Sequence, residues 1–219
     1  MPEILLNAHP AAPIVLALVS VSLLVTCDFR GFTPGRYLFK PFAALMFIWL
    51  ALIQGALSSD YGHWLLAGLL CCLLGDLFLM PDHAGSFLAG LVAFLTGHLL
   101  YTVAFIFLGS NWQALLLGAV PALLLLGLST RWLMPHVPAN MKTPVLAYIA
   151  VITGMLISAC LTLDTAAGWV LVCGAWGFAL SDLAVARQRF VTPDRINGLW
   201  GTPLYFGSQM VLAATPGLL

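Results

Sequence analysis

Apolar runs of near-membrane length alternate with short polar breaks along the whole chain. Eight runs stand out, at about 12–27, 41–57, 64–80, 86–108, 114–130, 144–163, 168–187 and 198–215. Several hold about 17 residues, at the short end of what crosses a hydrocarbon core as a helix. The breaks carry Pro, Gly, Asp, Asn and Arg, as loop punctuation should. The runs are continuous rather than alternating with period two, which excludes a spanning β-barrel. The pattern predicts an all-α polytopic membrane protein with eight transmembrane helices. Residues 1–219 would form a single integral-membrane domain.

Composition agrees with this pattern. The chain is 62% hydrophobic and 7% charged, against about 25% charged residues in a soluble domain. No basic patch interleaved with aromatics is present, so no nucleic-acid partner is expected. The segment Met1–Asn7 lacks a basic n-region, so the first apolar run is expected to be a retained helix. Five cysteines (Cys27, Cys71, Cys72, Cys160, Cys173) fall in or beside apolar runs, without C-x-x-C or metal-ligand spacing. They read as small packing residues.

Net charge is zero, but its distribution carries information. All eight Lys and Arg residues fall in three connections. Arg30, Arg36 and Lys40 join runs 1 and 2; Arg131 and Lys142 join 5 and 6; Arg187, Arg189 and Arg195 join 7 and 8. The loops on the other side carry Asp60 and Asp164 and no cation. The positive-inside rule makes the basic side cytoplasmic and puts both termini on the far side. The compact loops fit a bacterial inner membrane. Gly75-Asp76-Leu77 parallels Ser181-Asp182-Leu183, and Pro81-Asp82 parallels Pro193-Asp194, a faint sign of a four-plus-four parallel repeat.

Two aspartates inside these runs need a reason to be there, because a carboxylate in hydrocarbon costs several kcal/mol. Counting about 1.5 Å of rise per residue, Asp76 lies roughly 7 Å below Pro81 and Asp182 at a similar depth below Arg187. Tyr148 reaches about 6 Å and Tyr205 about 10 Å; His98 and Gln209 come out deeper, at roughly 16–18 Å. On this count a direct His98–Asp182 bond is not assured. Each residue also has a plain structural reading. A lone transmembrane Asp can be a helix–helix hydrogen-bond partner, His98 a satisfied core histidine, and Tyr148 and Tyr205 members of an interfacial belt. Lys40 can snorkel from a helix mouth. Gly174, Gly177 and Ser181 share a face of run 7 and serve close helix approach.

Only one of the five histidines is deep in a run, while a hydrolytic zinc site commonly draws on three protein ligands. No Gly-x-Ser-x-Gly elbow or Cys/His pair appears. A pair of carboxyls remains. In such a pair one member can act as an acid and the other as a base. Intramembrane Asp and His also build proton relays in carriers. The apolar runs, however, show few Gly/Pro breaks at their centres, and the polar layer lies off the midplane. A lipid-binding protein without turnover is the third reading.

The same residues carry a family resemblance. Lys40-Pro41, Gly75-Asp76, Gly97-His98-Leu99-Leu100-Tyr101, Pro144-Val145-x-x-Tyr148, Ser181-Asp182 with Arg189-Phe190, and Tyr205-x-x-x-Gln209 occur in order over nearly the whole chain. In these motifs the chain resembles the YhhN/TMEM86 family of membrane lysoplasmalogenases. Gln188-Arg189-Phe190 stands where the family has Asn-Arg-Phe. The resemblance implies hydrolysis of the vinyl ether bond of a lysophospholipid, drawn from the surrounding membrane lipids. The products would be a fatty aldehyde and glycerophosphoethanolamine or glycerophosphocholine, and no metal or organic cofactor is implied. The residue chemistry points to Asp76 and Asp182 as the acid/base pair, without deciding which is acid and which is base. Lys40, His98, Tyr101, Tyr148, Tyr205 and Gln209 would be the residues that bind or orient substrate and water. The residue chemistry fits, since protonation of a vinyl ether at carbon gives an oxocarbenium ion that a carboxylate can stabilise, as in glycoside hydrolysis.

Overall fold

A computed structural model describes residues 9–219; Met1–Asn7, on which the expectation of a retained first helix rests, lies outside them. The described residues form eight long helices: α1 (Ala11–Arg30), α2 (Thr33–Ile53), α3 (Asp60–Phe78), α4 (Ala84–Leu108), α5 (Ala114–Leu133), α6 (Lys142–Ala159), α7 (Gly168–Ala186) and α8 (Arg195–Ala214). Each contains most of one predicted apolar run. Their ends follow local chemistry. Gly31 adopts φ 69° and closes α1 by donating its N–H to Asp28 O, a left-handed cap that glycine reaches without steric cost. Ser59 caps α3 by accepting the N–H of Gly62, and Asp194 caps α8 by accepting that of Ile196.

Seven of the eight helices are long and apolar enough to cross a membrane. By composition α8 falls outside that set, although 20 residues at about 1.5 Å each reach about 30 Å. Its polar residues explain this. Asn197, Ser208 and Gln209 are buried within the protein, because α8 packs against α1, α2, α3 and α7. A helix enclosed on several sides can carry groups that lipid would exclude.

Helices α2, α3, α4, α6, α7 and α8 pack into a closed ring, with α1 outside against α2 and α8, and α5 outside against α6. The outer position of α5 suits its side chains: Leu116, Leu117, Val120, Leu123, Leu124 and Leu128 are all exposed. The pairings recur in the two halves of the chain. Contacts α1·α2, α2·α3, α3·α4 and α2·α8 are matched by α5·α6, α6·α7, α7·α8 and α6·α4. The match is partial, since α1 and α3 also pack against α8 without an equally prominent α5·α4 or α7·α4 counterpart.

The basic connections meet at one end. Arg36 donates to the carbonyls of Leu79 and Met80, Arg189 pairs with Asp82 at 3.7 Å, and Arg195 donates to Phe29 O. At the opposite end Gln54 donates to Ala214 O, and Ser110 donates to Asp164. The ring thus has a cationic end and, among the described residues, an end without Lys or Arg.

Candidate active site

Both intramembrane carboxylates line one cavity of about 820 Å³, bounded by the ring helices together with Leu24 of α1 and Leu125 of α5, within the size range of small-molecule sites. Charged residues, among them the exposed Asp82 and Arg189 and the half-buried Asp194, line it at the end where the basic connections meet, and Phe94, Leu125, Ile149 and Ile152 give it an apolar wall. Each carboxylate has its own partners. Asp76, 2% exposed, has Lys40 Nζ at 3.2 Å from Oδ1 and receives the Tyr205 hydroxyl at 2.6 Å on Oδ2. Lys40 also donates to the Asp76 main-chain carbonyl. Asp182 receives the Tyr148 hydroxyl at 3.0 Å on Oδ2, and His98 Nε2 lies 3.3 Å from the same oxygen.

These partners follow one scheme. Asp76 on α3 is held by a residue of α2 and one of α8; Asp182 on α7 by a residue of α6 and one of α4. Each aspartate is therefore served once from its own half of the chain and once from the other half. The ring closure that brings α2 to α8 and α6 to α4 makes this possible.

His98 and Asp182 are in contact, contrary to the depth expected for them from residue counting. Helix α7 does not end near Arg187 but continues as a π-helical turn through Val191. Asp182 therefore sits about 13 Å from that end rather than about 7 Å. Side-chain direction closes the remaining gap, since Cβ atoms tilt toward a helix's N-terminus. Helix α4 starts at the cationic end and α7 at the other, so His98 and Asp182 lean toward each other.

Lys40, Tyr148 and Tyr205 line the cavity. His98, Tyr101 and Gln209 are fully enclosed behind it. Tyr101 donates to Gln209 Oε1 at 2.6 Å, and Gln209 Nε2 donates to Cys72 Sγ at 3.4 Å. This closed buried set backs the carboxylates rather than facing the cavity. Cys72 was not among the sequence-predicted site residues, although it lies four positions before Asp76 and so shares its helix face. Aromatic packing fixes the frame: the His98 ring stacks on Phe178 at 4.2 Å between centroids, and Phe178 also meets Tyr205 at 5.5 Å. Among the described residues no group of three His, Cys, Asp or Glu side chains is arranged to hold a metal ion.

The YhhN family model matches residues 35–215, nearly the whole chain. The chain belongs to the YhhN family. The matched region runs from the start of α2 to the end of α8 and so takes in every residue of the two aspartate clusters. Among curated relatives, human lysoplasmalogenase TMEM86B is 33% identical over 160 residues, covering 71% of this chain and 64% of that protein. Bovine lysoplasmalogenase TMEM86A is 29% identical over 176 residues, covering 76% and 72%. An uncharacterized membrane protein YhhN of Escherichia coli O157:H7 is 39% identical over 88 residues, covering 40% and 41%. No solved structure matches the chain significantly. With its seven membrane-length apolar helices and membrane-protein relatives, this YhhN-family chain is an integral membrane protein.

Proposed function

We propose that this protein hydrolyses the sn-1 vinyl ether bond of lysoplasmalogens, releasing a fatty aldehyde and a glycerophospho-alcohol such as glycerophosphoethanolamine. One observation carries the reading: two carboxylates, each with its own proton-bearing partners, line a single cavity that has Arg36, Arg189 and Arg195 among the charged residues at one end and is apolar along its wall. An amphiphile with an anionic head and an apolar tail matches that gradient. Arg36 and Arg189 would face the phosphate, and the alkenyl chain would lie against Leu125, Ile149 and Ile152. The ether oxygen, a few bonds below the phosphate, would then fall at the carboxylate level.

The chemistry asks for two groups. An acid protonates the outer vinyl carbon and leaves an oxocarbenium ion. A carboxylate stabilises that cation and takes a proton from the water that adds to it; the hemiacetal then breaks to aldehyde and alcohol. Asp76 and Asp182 supply both groups. Lys40, Tyr148 and Tyr205 orient the carboxylates and the glycerol hydroxyl, and His98, Tyr101 and Gln209 support them from behind. All eight helices cross the membrane, the cationic end is cytoplasmic, and both termini lie on the other side. Residues 1–219 act as one domain, in a bacterial inner membrane.

Substrate discrimination tests this reading. Purified protein is given a lysoplasmenyl lipid, its saturated alkyl-ether analogue and its acyl analogue, and aldehyde is measured. Aldehyde from the vinyl ether alone is expected, because only that bond yields an oxocarbenium ion on protonation. Cleavage of the acyl lipid with none of the vinyl ether would refute the assignment.

A further inference from the structure

Vinyl ether hydrolysis begins with a proton delivered to carbon, and on that reading the site must keep one ready. His98 is completely enclosed. Its Nδ1 lies 2.7 Å from the carbonyl oxygen of Phe94. A carbonyl oxygen only accepts, so Nδ1 carries the hydrogen. In a neutral ring this leaves Nε2 a bare acceptor. Nε2 has no hydrogen-bond partner and faces Asp182 Oδ2 at 3.3 Å. A bare nitrogen opposite a carboxylate oxygen would be two acceptors in contact, one of them buried and unpaired, an arrangement proteins avoid. A single proton between them removes the conflict.

The surroundings offer no other remedy. Stacking on Phe178 and the edge of Tyr148, 5.3 Å away, hold the ring in place. The ionisable groups that face it are Tyr148 on α6, Asp182 on α7, and Cys71 and Cys72 on α3, which pack against the neighbouring Gly97. None of these is a cation. The Tyr148 hydrogen is already directed at Asp182. Asp76 differs: Lys40 meets one oxygen and Tyr205 the other, so it is satisfied as a carboxylate. Asp182 is also the more open of the two, 14% exposed against 2%.

We infer that Asp182 and His98 hold one proton jointly and form the acid of the site, while Asp76, balanced by Lys40, is the carboxylate that faces the cation. This deepens the hydrolase reading and rests on it. The pair gives its proton through Asp182 to the outer vinyl carbon, forming a C–H bond and an oxocarbenium ion. Water bonds to the ether carbon and its proton passes to Asp76. As the C–O bond of the hemiacetal breaks, Asp76 returns that proton to the glyceryl oxygen, and the hemiacetal hydroxyl proton restores the pair. His98 does not line the cavity; it is a positioning residue that acts through Asp182.

Two measurements on the full-length protein test this. The first is the nitrogen-15 resonance of His98 Nε2 in histidine-labelled protein, assigned by its loss in His98→Gln. In the wild type it is expected away from the bare-acceptor position, and in Asp182→Asn at or near it. The second is kinetic. His98→Gln keeps a donor against Asp182 but no shared proton, so kcat should fall about 100-fold or more while KM changes little. A bare-acceptor Nε2 in an active wild type, or full kcat in His98→Gln, would overturn the acid assignment and leave the hydrolase reading intact. A wild type that releases no aldehyde would overturn the hydrolase reading, and with it the acid role.

Discussion

Lys40 and Asp76 form an ion pair that cannot be broken from one side without cost. Asp76 is 2% exposed and its ammonium partner lies at 3.2 Å, so Lys40→Met strands a buried charge, a change that typically costs about 3–5 kcal/mol. The double variant Lys40→Met/Asp76→Asn removes the charge along with its partner. Thermal melting in detergent should show a large loss for Lys40→Met and recovery of most of it in the double variant, while activity stays absent in both. Equal melting temperatures for wild type and Lys40→Met would show that the pair contributes nothing to the fold. At this scale the sequence picked out residues that come together better than it placed them in depth. Asp76, Asp182, Lys40, Tyr148 and Tyr205 all meet at the cavity. The His98–Asp182 contact escaped a count of residues because it depends on the π turn at Arg187–Val191 and on two side chains leaning toward each other.

Helix contacts rest on small residues where backbones approach. A Cβ built on Gly75 would come within 2.6 Å of the Phe94 ring, and one on Gly68 within 2.5 Å of Tyr101, so α3 and α4 lie close only because these positions are glycine. Gly75→Ala should destabilise by about 1–3 kcal/mol through overpacking. Gly154, in α6, has nothing within 4 Å of its would-be Cβ, and Gly154→Ala should melt no lower than wild type because alanine favours a helix by up to about 1 kcal/mol. Comparison of the two melting curves checks both expectations; similar losses would mean that helix spacing is not what Gly75 provides. The eight helices were readable from apolar runs, but not every boundary: α2 begins at Thr33 rather than about 41, and α7 runs on as a π turn to Val191. The character of α8 was less so, because a helix enclosed by four others carries Asn197, Ser208 and Gln209 that weaken its apolar signal. Ring closure was not readable at all, since a pattern of lipid-length segments does not say which segments touch.

For the whole molecule, separation of charge along the membrane normal predicts orientation. In a variant lacking the native cysteines, a cysteine at Asn140, on the basic connection, should react with a membrane-impermeant thiol reagent only from the cytoplasmic side. One at Asp164, at the end without Lys or Arg, should react only from the other side. The reverse labelling would invert the proposed topology, and with it the side from which a lysolipid head meets the Arg-lined cavity mouth. Aldehyde release from a lysoplasmenyl lipid, with chelator present, is the most direct measure of a hydrolase built around two carboxylates. Wild type, Asp76→Asn and Asp182→Asn are compared as purified, folded proteins. Release by the wild type that both variants lose is the predicted result. Full release by either variant, or none by a folded wild type, would contradict it.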